Sequence, residues 1–465
     1  MKKKYFGTGG IRGRFNTFPM TAKMALKVGM AVGILLKQED EDPVALIGQD
    51  TRISGNIITN AITAGINSVG VNTVNIDVAT APCVSTIVRS GGFDFGIVIS
   101  ASHNPYYDNG IKILDCEGFG ITDNVAIEIE KAIDCEKLDS FLVDSENIGT
   151  NLDIADIHQN KYIDFVIKDC SPDKLNLSSL KIVLDSANGA AYKIAPSILK
   201  KLKAKLINIA NEPDGFNINE KCGSTDLELL IKTVKKEKAD LGIALDGDAD
   251  RVMIIDEKGK VIDGDKIIAI IAKEMLENKK LENNTVILTK MANLGLEQYL
   301  NKSGIKTIRT DIGEKYVFEH LKKGTSNIGG EPNGHIMMYD YGSTGDGIIA
   351  ALQVLGVFCK MQKSNSKIKM SDLANLYKTV PQKLFNIEYD NSKPTNDSAL
   401  GNSSVKKEIE KYTKELKNDG RILIRKSGTQ PLIRVMVECA DEKKLDKALT
   451  ALTNAIKKVL KWLNF

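Results

Sequence analysis

Short apolar runs rich in Val and Ile alternate along most of the chain with longer segments whose apolar residues recur at helical spacing. This alternation predicts α/β domains built on largely parallel sheets. The predicted strands are residues 44–48, 95–100, 181–185, 241–245 and 286–289. Residues 21–36 are predicted as an amphipathic helix, because Pro19 and Thr21 supply a start signal ahead of an apolar stripe.

The pattern changes after about residue 370. A loop-like stretch over residues 390–404 precedes a charged helix, a strand pair within residues 421–439, and a final helix. In that final helix apolar residues recur every three or four positions from Leu445 to Leu463, with lysines on the opposite side. A small α+β domain is therefore predicted at the C-terminus.

At 465 residues the chain is longer than a single hydrophobic core usually supports. We predict three α/β domains, residues 1–153, 154–256 and 257–370, and a C-terminal α+β domain, residues 371–465. Similar strand and helix lengths in the first three suggest a duplicated architecture, although the sequence contains no clear self-match.

The overall charge points to no particular partner. Lys and Arg total 63 against 60 Asp and Glu, a formal net charge of +3, so neither nucleic acid nor a membrane surface is expected to bind. No apolar run approaches the roughly 20 residues of a membrane span. Seven scattered cysteines without a C-x-x-C pair argue against a zinc site and a disulfide framework, so we expect a cytoplasmic protein.

The segment GIVISASHNPYYDNGIKIL places Ser102, His103 and Lys112 just after an apolar strand. Ends of parallel strands are where α/β proteins place their sites. Taken alone, however, Ser102 is better interpreted as part of a polar turn whose hydroxyl caps a neighbouring backbone amide.

A second cluster, LDGDADRVMIID, contains Asp246, Asp248 and Asp250 beside Arg251. Crowded carboxylates repel one another unless a hard cation lies between them, so Mg²⁺ or Ca²⁺ is predicted. An EF-hand is excluded, because Arg251 occupies the position where that loop requires glycine. The remaining alternative is a solvated acidic turn.

The segment IRKSGTQPLIRVMVE gathers cations and small hydroxyl residues without a nearby acid: Arg425, Lys426, Ser427, Gly428, Thr429 and Arg434. Hydroxyls, backbone amides around a glycine and guanidinium groups are what a phosphate dianion requires, so this segment is predicted to bind phosphate. The alternative is a solvated hairpin turn.

Three further segments are weaker signals by themselves. The Gly-rich loop GGEPNGHIMM offers Glu331, Asn333 and His335, which could contact sugar hydroxyls. FGTGGIRG contributes Arg12 among glycines, and GQDTRISG contributes Arg52 after a strand end.

Together, the ordered motifs FGTGGIRG, SASHNPYYDNGIK, DGDADR, GEPNGH and RKSGTQPLIR resemble the α-D-phosphohexomutase family, especially its branch acting on glucosamine phosphates. The resemblance runs over nearly the whole chain. It implies three similar α/β domains with mixed, largely parallel sheets, plus a C-terminal α+β domain resembling the TATA-binding-protein fold, arranged around a central cleft. Gly9 and Asn333 depart from the Asp and Ser that are usual in that branch and family.

The resemblance also implies roles for individual residues. Ser102 matches the phosphorylated serine, and the three aspartates match the Mg²⁺ ligands, completed by the phosphate on Ser102. Arg12, His103, Lys112 and Arg251 match residues around the phosphoserine, the first three being candidates for proton transfer. Glu331, Asn333 and His335 match the sugar-binding loop, and Arg425, Ser427, Gly428, Thr429 and Arg434 match the loop that holds the phosphate that is not transferred.

The implied reaction interconverts glucosamine 6-phosphate and glucosamine 1-phosphate through a bisphosphorylated sugar, for amino-sugar synthesis. A hexose or hexosamine 1,6-bisphosphate is the expected activator, and the expected protein is a monomer or homodimer. The alternatives are a mutase for glucose or mannose phosphates, a metal-dependent sugar phosphatase that uses the same serine and metal, and a non-catalytic sugar-phosphate sensor.

Overall fold

The computed structural model describes residues 3–7, 9–37, 42–389, 396–426 and 432–463. Its strands, numbered in chain order, are β1 (Ile11–Arg14), β2 (Val44–Gln49), β3 (Asn72–Val78), β4 (Phe95–Ile99), β5 (Asp108–Leu114), β6 (Asn151–Asp153), β7 (Lys181–Asp185), β8 (Lys205–Ile209), β9 (Leu241–Leu245), β10 (Val252–Asp256), β11 (Val261–Ile262), β12 (Thr285–Thr289), β13 (Lys306–Thr310), β14 (Ile328–Gly330), β15 (Ile336–Met338), β16 (Gln382–Glu388), β17 (Gly420–Lys426) and β18 (Leu432–Cys439).

The helices are α1 (Ala22–Leu36), α2 (Gly55–Asn67), α3 (Ala81–Arg89), α4 (Asp123–Ile133), α5 (Ala155–Phe165), α6 (Ile194–Lys201), α7 (Glu228–Glu237), α8 (Gly264–Glu277), α9 (Leu294–Lys302), α10 (Glu314–Lys322), α11 (Gly347–Ser364), α12 (Met370–Leu373), α13 (Asn396–Gly401), α14 (Ser403–Leu416) and α15 (Glu442–Leu463). None of the helices in the described ranges combines the length and the apolar character needed to cross a bilayer.

The first three sheets share one core topology. Their strand orders are β1-β5-β4-β2-β3-β6, β11-β10-β9-β7-β8 and β13-β12-β14-β15. In each sheet a central strand has two parallel neighbours, and a fourth strand pairs antiparallel with the second of these: β3-β2-β4-β5, β8-β7-β9-β10 and β13-β12-β14-β15. The duplicated architecture suggested by element lengths is therefore visible as a repeated strand order.

Burial on both faces explains why strands inside the sheets, such as β4 and β9, are continuous apolar runs. Every residue of β4 and of β9 is buried, as expected for parallel strands covered by helices on each side. Helices α1 and α2 pack so closely that a Cβ added at Gly29 or Gly65 would collide with the backbone of the other helix. The loops after the buried strands are thus fixed to a rigid scaffold.

The chain divides into two compact units: residues 1–289 with 305–376, and residues 290–304 with 377–465. The three repeated sheets lie in the first unit. The second unit contains the antiparallel sheet β16-β18-β17, whose apolar side chains pack with those of α14 and α15. Asn293 joins α9 to this unit, since its Nδ2 donates to Glu438 Oε1 over 3.0 Å.

The predicted fold class is confirmed, with three mixed α/β sheets and a smaller α+β unit, and the predicted strands and long helices are present. One prediction is wrong: residues 390–404 are not all loop, because α13 spans Asn396–Gly401 and α14 begins at Ser403. Ala399 packs into the core and Asn402 caps α14, so burial overrides the polar composition. Residues 390–395 lie outside the described residues, and the proposed domain boundaries stay predictions.

Candidate active site

Three loops at the same position of the repeated sheets approach one another. They join β4 to β5, β9 to β10 and β14 to β15, each at the carboxyl end of a parallel strand, where α/β sheets commonly bind ligands. We call them the serine loop (residues 100–107), the aspartate loop (residues 246–251) and the glutamate loop (residues 331–335).

The serine loop meets the aspartate loop through Ser102. This residue is 1% exposed, and its φ of 53° lies in the left-handed region, which is uncommon for a residue with a side chain. Its Oγ donates a hydrogen bond to Asp246 Oδ2 over 2.6 Å, across 144 positions of sequence. The structure therefore brings together the serine and the acidic triplet that the sequence motifs singled out.

His103 is held as a neutral ring beside this contact. Its Nδ1 lies 3.1 Å from Arg251 Nη1 and 3.3 Å from Ser102 Oγ. A guanidinium nitrogen only donates, so Nδ1 is assigned as the acceptor. Burial, followed by the charges of Arg251 and Arg12, lowers the pKa of His103 to about 4. At neutral pH the side chain is uncharged.

The carboxylates of Asp246, Asp248 and Asp250 are buried, with one oxygen of each within 4.8 Å of the others. Burial and the neighbouring carboxylates raise the pKa of Asp246 to about 6 and that of Asp248 well above its ordinary value. Burial acts on Asp250 too, but His335 and Arg251 outweigh it and hold its pKa below the ordinary range. The triplet is thus a crowded set of buried carboxylates whose neighbouring cations act most strongly on Asp250.

The donor set fits a hard divalent cation. Asp248 Oδ1 is buried and accepts no hydrogen bond from the residues that the structure describes, while Asp250 Oδ1 has longer ion-pair contacts, 3.5 Å to His335 Nδ1 and 3.6 Å to Arg251 Nε. Such acceptors are costly to bury unless something binds them, and clustered carboxylate oxygens are the ligands of Mg²⁺ and Ca²⁺. Ser102 Oγ adjoins this set through Asp246.

The aspartate loop rests on the first turn of α11. The Gly347 amide donates to Ala249 O over 3.0 Å, and Asp346 caps the helix by accepting from the amides of Ile348 and Ile349, each over 2.9 Å. Tyr162 Oη donates to the other oxygen of Asp346 over 2.7 Å. The positive end of the helix dipole therefore lies beside the loop that carries the acidic triplet.

A partly buried ion network lies next to the triplet. Lys112 Nζ lies 3.2 Å from Glu314 Oε2 and 3.3 Å from Thr344 Oγ1. His335 lies between two carboxylates, with Nδ1 3.5 Å from Asp250 Oδ1 and Nε2 3.8 Å from Glu314 Oε1. Burial opposes the charge on both cations, yet Asp250 and Glu314 raise the pKa of His335 well above its usual value, and Glu314 raises that of Lys112. Both are charged at neutral pH.

The glutamate loop is braced internally. Glu331 Oε1 accepts from the Gly313 amide over 3.2 Å, and its Oε2 accepts from Asn333 Nδ2 over 2.9 Å. Asn333 Oδ1 in turn accepts from the His335 amide over 3.1 Å. The structure thus holds Glu331 and Asn333 as one unit and turns His335 toward Asp250; the sugar-binding roles of all three stay predictions.

Arg12 completes the cations around Ser102. It lies on β1, opposite Gly110 in the register with β5, and its exposed side chain acts electrostatically on His103 and on Asp248. With Lys112 and Arg251 it provides positive charge around the serine hydroxyl.

In the second unit, Arg425 and Arg434 face each other directly across the β17–β18 register. Side chains at paired positions lie on the same face of a sheet, so the hairpin presents two guanidinium groups together. Ser427, Gly428 and Thr429 fall outside the described residues, and the phosphate-binding role of the segment stays a prediction.

Sequence reasoning missed or undervalued several buried and half-buried polar residues of the site. Arg52 was only a weak signal and Asp50 was not selected, yet both follow β2 and so obey the strand-end rule that selected Ser102. Glu314 and Thr344, which contact Lys112, were not selected either. Asn219, whose Nδ2 donates to Ser102 O over 2.9 Å, carries no local sequence signal.

Comparisons with known proteins cover nearly the whole chain. Four family profiles match in order, described as phosphoglucomutase/phosphomannomutase α/β/α domain I (residues 3–139), domain II (160–259), domain III (263–378) and C-terminal domain (384–455). A phosphoglucosamine mutase from Rhizobium rhizogenes is 42% identical over 459 residues, 99% of each chain. One from Chelativorans is 43% identical over 456 residues, 98% of each chain.

Solved structures share the fold. A phosphoglucomutase/phosphomannomutase family protein from Burkholderia thailandensis superposes with a TM-score of 0.77 at 22% identity, covering 99% of this chain and 97% of that one. The Aspergillus fumigatus N-acetylphosphoglucosamine mutase, determined with GlcNAc-6P and magnesium, gives a TM-score of 0.61 at 18% identity, covering 99% and 96%. The family predicted from the ordered motifs is confirmed.

Proposed function

This chain belongs to the phosphoglucomutase/phosphomannomutase family and is a phosphohexomutase, and we propose that it interconverts glucosamine 6-phosphate and glucosamine 1-phosphate. The choice of sugar is supported by the full-length relatives, which are named phosphoglucosamine mutases at 41–43% identity. The family name itself supplies the alternative, a mutase for glucose or mannose phosphates.

One observation carries the mechanism: Ser102 Oγ lies 2.6 Å from Asp246, inside a buried carboxylate triplet and within reach of cationic side chains. A hydroxyl alone in an acidic pocket would be a poor place for a phosphate. With a divalent cation on the triplet, and with the cations Arg12, Lys112 and Arg251 nearby, the same pocket favours one.

In the proposed cycle the phosphate starts on Ser102. The bond between Ser102 Oγ and phosphorus breaks while a free hydroxyl of the sugar monophosphate bonds to phosphorus and gives up its proton. Ser102 Oγ takes up a proton as it leaves phosphorus, so the products are a sugar 1,6-bisphosphate and a free Ser102 hydroxyl. After the bisphosphate turns over, its other phosphoryl group returns to Ser102 Oγ, and the oxygen that it leaves regains a proton.

The carboxylates of Asp246, Asp248 and Asp250 are the proposed ligands for Mg²⁺, which would neutralise charge on the transferring phosphoryl group when bound. A hexose or hexosamine 1,6-bisphosphate is the proposed activator, because it can phosphorylate a free Ser102. Phosphoryl transfer depends on positioning and charge neutralisation more than on covalent assistance, which matches the preponderance of charged side chains here.

Two side chains suit the proton steps. His103, whose Nδ1 lies 3.3 Å from Ser102 Oγ, is the proposed proton acceptor, and Lys112, which carries its proton beside Glu314, is the proposed donor. Glu331, held by Gly313 and Asn333, presents a fixed carboxylate for sugar hydroxyls. Arg425 and Arg434, with the segment between them, are the proposed contacts for the phosphate that is not transferred. A cytoplasmic location and a monomeric or homodimeric state stay predictions.

The test is an assay of the purified chain with Mg²⁺ and a bisphosphate activator, using glucosamine, glucose and mannose phosphates in parallel. We expect kcat/KM for glucosamine 6-phosphate to exceed that for glucose 6-phosphate by roughly tenfold or more. Faster turnover of glucose or mannose phosphates would reject the proposed sugar. Release of inorganic phosphate in step with substrate loss would instead favour a phosphatase, and intact mass should show a phosphoryl group on Ser102.

A further inference from the structure

The backbone of Ser102 adopts a conformation that must be held in place. With φ at 53° it lies in the left-handed region, where a residue with a Cβ is strained. Such strain persists only where surrounding contacts determine the conformation, and it often occurs at functional sites. Contacts from Ser100, Arg52 and Asp50 hold this peptide so that Oγ faces Asp246.

Ser100 holds the amide side. The Ser102 amide donates to Ser100 Oγ over 2.9 Å, and the Ser100 hydroxyl donates onward to Asp50 Oδ2 over 2.7 Å. Because its single proton is directed to Asp50, Ser100 Oγ offers its lone pairs to the Ser102 amide.

Arg52 holds the carbonyl side. Its Nη2 donates to Ser102 O over 2.9 Å and to Asn104 O over 2.8 Å. Its Nη1 donates to Pro105 O and, over 3.1 Å, to Asp108 O. One planar guanidinium therefore gathers four carbonyls, and the serine loop wraps around it.

Asp50 closes the network. Its Oδ2 accepts from Arg52 Nε over 2.8 Å and from Ser100 Oγ, while Oδ1 accepts from the Arg52 amide over 3.0 Å. The side chains of Asp50 and Arg52 are both 0% exposed. The bonds from Ser100 to the amide and from Arg52 to the carbonyl of Ser102 thus converge on one buried carboxylate, and Asn219 Nδ2 adds a second donor to the same carbonyl over 2.9 Å.

We propose that Asp50, Arg52 and Ser100 form a positioning clamp that keeps the Ser102 hydroxyl aimed at the aspartate loop during phosphoryl transfer. The inference rests on the proposed function and deepens it. None of the three side chains needs to touch the substrate. Without the clamp, Ser102 relaxes toward negative φ and its Oγ turns away from Asp246, which slows transfer without changing how the sugar binds.

Ser100→Ala is the gentlest way to open the clamp, because it removes the hydroxyl and leaves the Asp50–Arg52 pair in place. The chain offers a matched control in Ser326, which is also buried. Ser326 Oγ accepts from the amide two residues on, Ile328, over 3.1 Å and donates to Thr285 O over 2.6 Å. Ser326→Ala therefore removes a hydroxyl with the same kind of hydrogen bonds, at a position outside the serine loop.

We expect Ser100→Ala to lower kcat roughly tenfold to a hundredfold with KM changed less than about twofold, because small misplacements of reacting groups have effects of this size. Ser326→Ala should lose comparable thermal stability and keep kcat, and Ser100→Thr, which restores the hydroxyl, should recover most of the rate. Arg52→Lys, with fewer donors in another geometry, should also reduce kcat with KM little changed. Equal kcat in the two alanine variants, or no recovery with threonine, would overturn the clamp.

Failure of the clamp and failure of the proposed function are distinguishable. An inactive wild-type chain rejects the function, whereas an active wild type with an unaffected Ser100→Ala rejects only the clamp. A crystal structure of Ser100→Ala gives a readout independent of activity: the clamp requires Ser102 to leave the left-handed region or its Oγ to move away from Asp246, and an unchanged Ser102 refutes it.

Discussion

The serine loop and the aspartate loop occupy equivalent positions in two repeats, yet they differ in how far their polar groups are hydrogen-bonded. Each follows a fully buried strand and contains one non-glycine residue in the left-handed region, Ser102 with φ 53° and Ala249 with φ 61°. In the serine loop the backbone groups of the nucleophile are matched by Ser100, Arg52 and Asn219. In the aspartate loop, a buried carboxylate oxygen has no hydrogen-bond donor among the described residues.

This difference suggests that the two repeats have different roles in the site: the serine loop positions the nucleophile, and the aspartate loop binds a cation. A loop whose polar groups are satisfied internally is fixed before any ligand arrives. A loop that buries several carboxylates together favours a bound cation, because burial first and the neighbouring carboxylates second raise the pKa values of Asp246 and Asp248. We therefore expect changes in the first loop to affect positioning and changes in the second to affect cation binding.

The largest effect is expected when the nucleophile of the serine loop is removed. Ser102→Ala should lower kcat by at least about 10⁴-fold, because the covalent intermediate can no longer form. Steady-state kinetics measures the loss, and intact mass should show no phosphoryl group on the variant. Ser85→Ala is the control, since Ser85 is buried and donates to Gly118 O over 2.9 Å, and it should stay active.

Asp248→Asn tests whether the aspartate loop binds the cation. It relieves repulsion among the carboxylates, so without Mg²⁺ it should be as stable as the wild type or more so, while kcat falls roughly 10²-fold or more. Thermal melts with and without Mg²⁺ measure the effect: wild type should gain up to about 2.7 kcal/mol at a hundredfold excess over Kd, and the variant little.

Asp256→Asn is the matched control for that experiment. Asp256 is also buried and lies at the far end of β10 from the aspartate loop. It should retain the Mg²⁺-dependent gain in stability. If both variants lose this gain equally, the cation does not bind at the triplet.

Gly247→Ala tests how tightly the two loops are joined. A Cβ at Gly247 would lie 2.5 Å from Ser102 O and 2.9 Å from Ile218 Cδ1, so the loops must separate. We expect a loss of about 1–3 kcal/mol in stability and a roughly tenfold fall in kcat. Urea denaturation and kinetics report the two effects. Gly401→Ala, where a Cβ meets nothing within 4 Å, should change neither, and unchanged kcat in Gly247→Ala would argue against close coupling.

Asp185 provides a contrast to the aspartate loop, because both oxygens of this buried carboxylate accept hydrogen bonds from backbone amides. It ends β7, the central strand of the second repeat, and accepts from the Ala187 and Gly223 amides over 2.8 and 2.9 Å. Burial nevertheless raises its pKa to about 6. Its protonated form therefore stabilises the fold at low pH, and this contribution is lost as the pH rises from about 4 through 6.

Asp185→Asn cannot titrate, so its stability relative to wild type should improve by about 1 kcal/mol between pH 5 and pH 7. Urea denaturation at the two pH values measures the difference. A gap between the two proteins that does not change with pH would mean that Asp185 stays ionised throughout. This is the smallest of the expected effects, since it concerns stability alone.

Much of the site could be predicted from sequence because its key residues stand in compact motifs after apolar strands. Ser102 and the three aspartates are of this kind, and the structure brings them together. The sugar contact assigned to His335 stays a prediction, and the structure adds that the ring lies between Asp250 and Glu314. A pattern along the chain identifies the loop, but it does not tell which way a side chain on that loop turns.

Local chemistry in the sequence was sufficient to determine the buried strands, the fold class and the order of the motifs. Periodicity of apolar residues and the residues at strand ends are short-range properties, readable without knowing what lies opposite. Only the tertiary structure decided that Arg52 gathers the carbonyls of the serine loop, that Asn219 reaches it from the second repeat, and that Glu314 holds Lys112. These choices depend on packing and desolvation between segments far apart in the chain, where burial determines which polar groups must find partners.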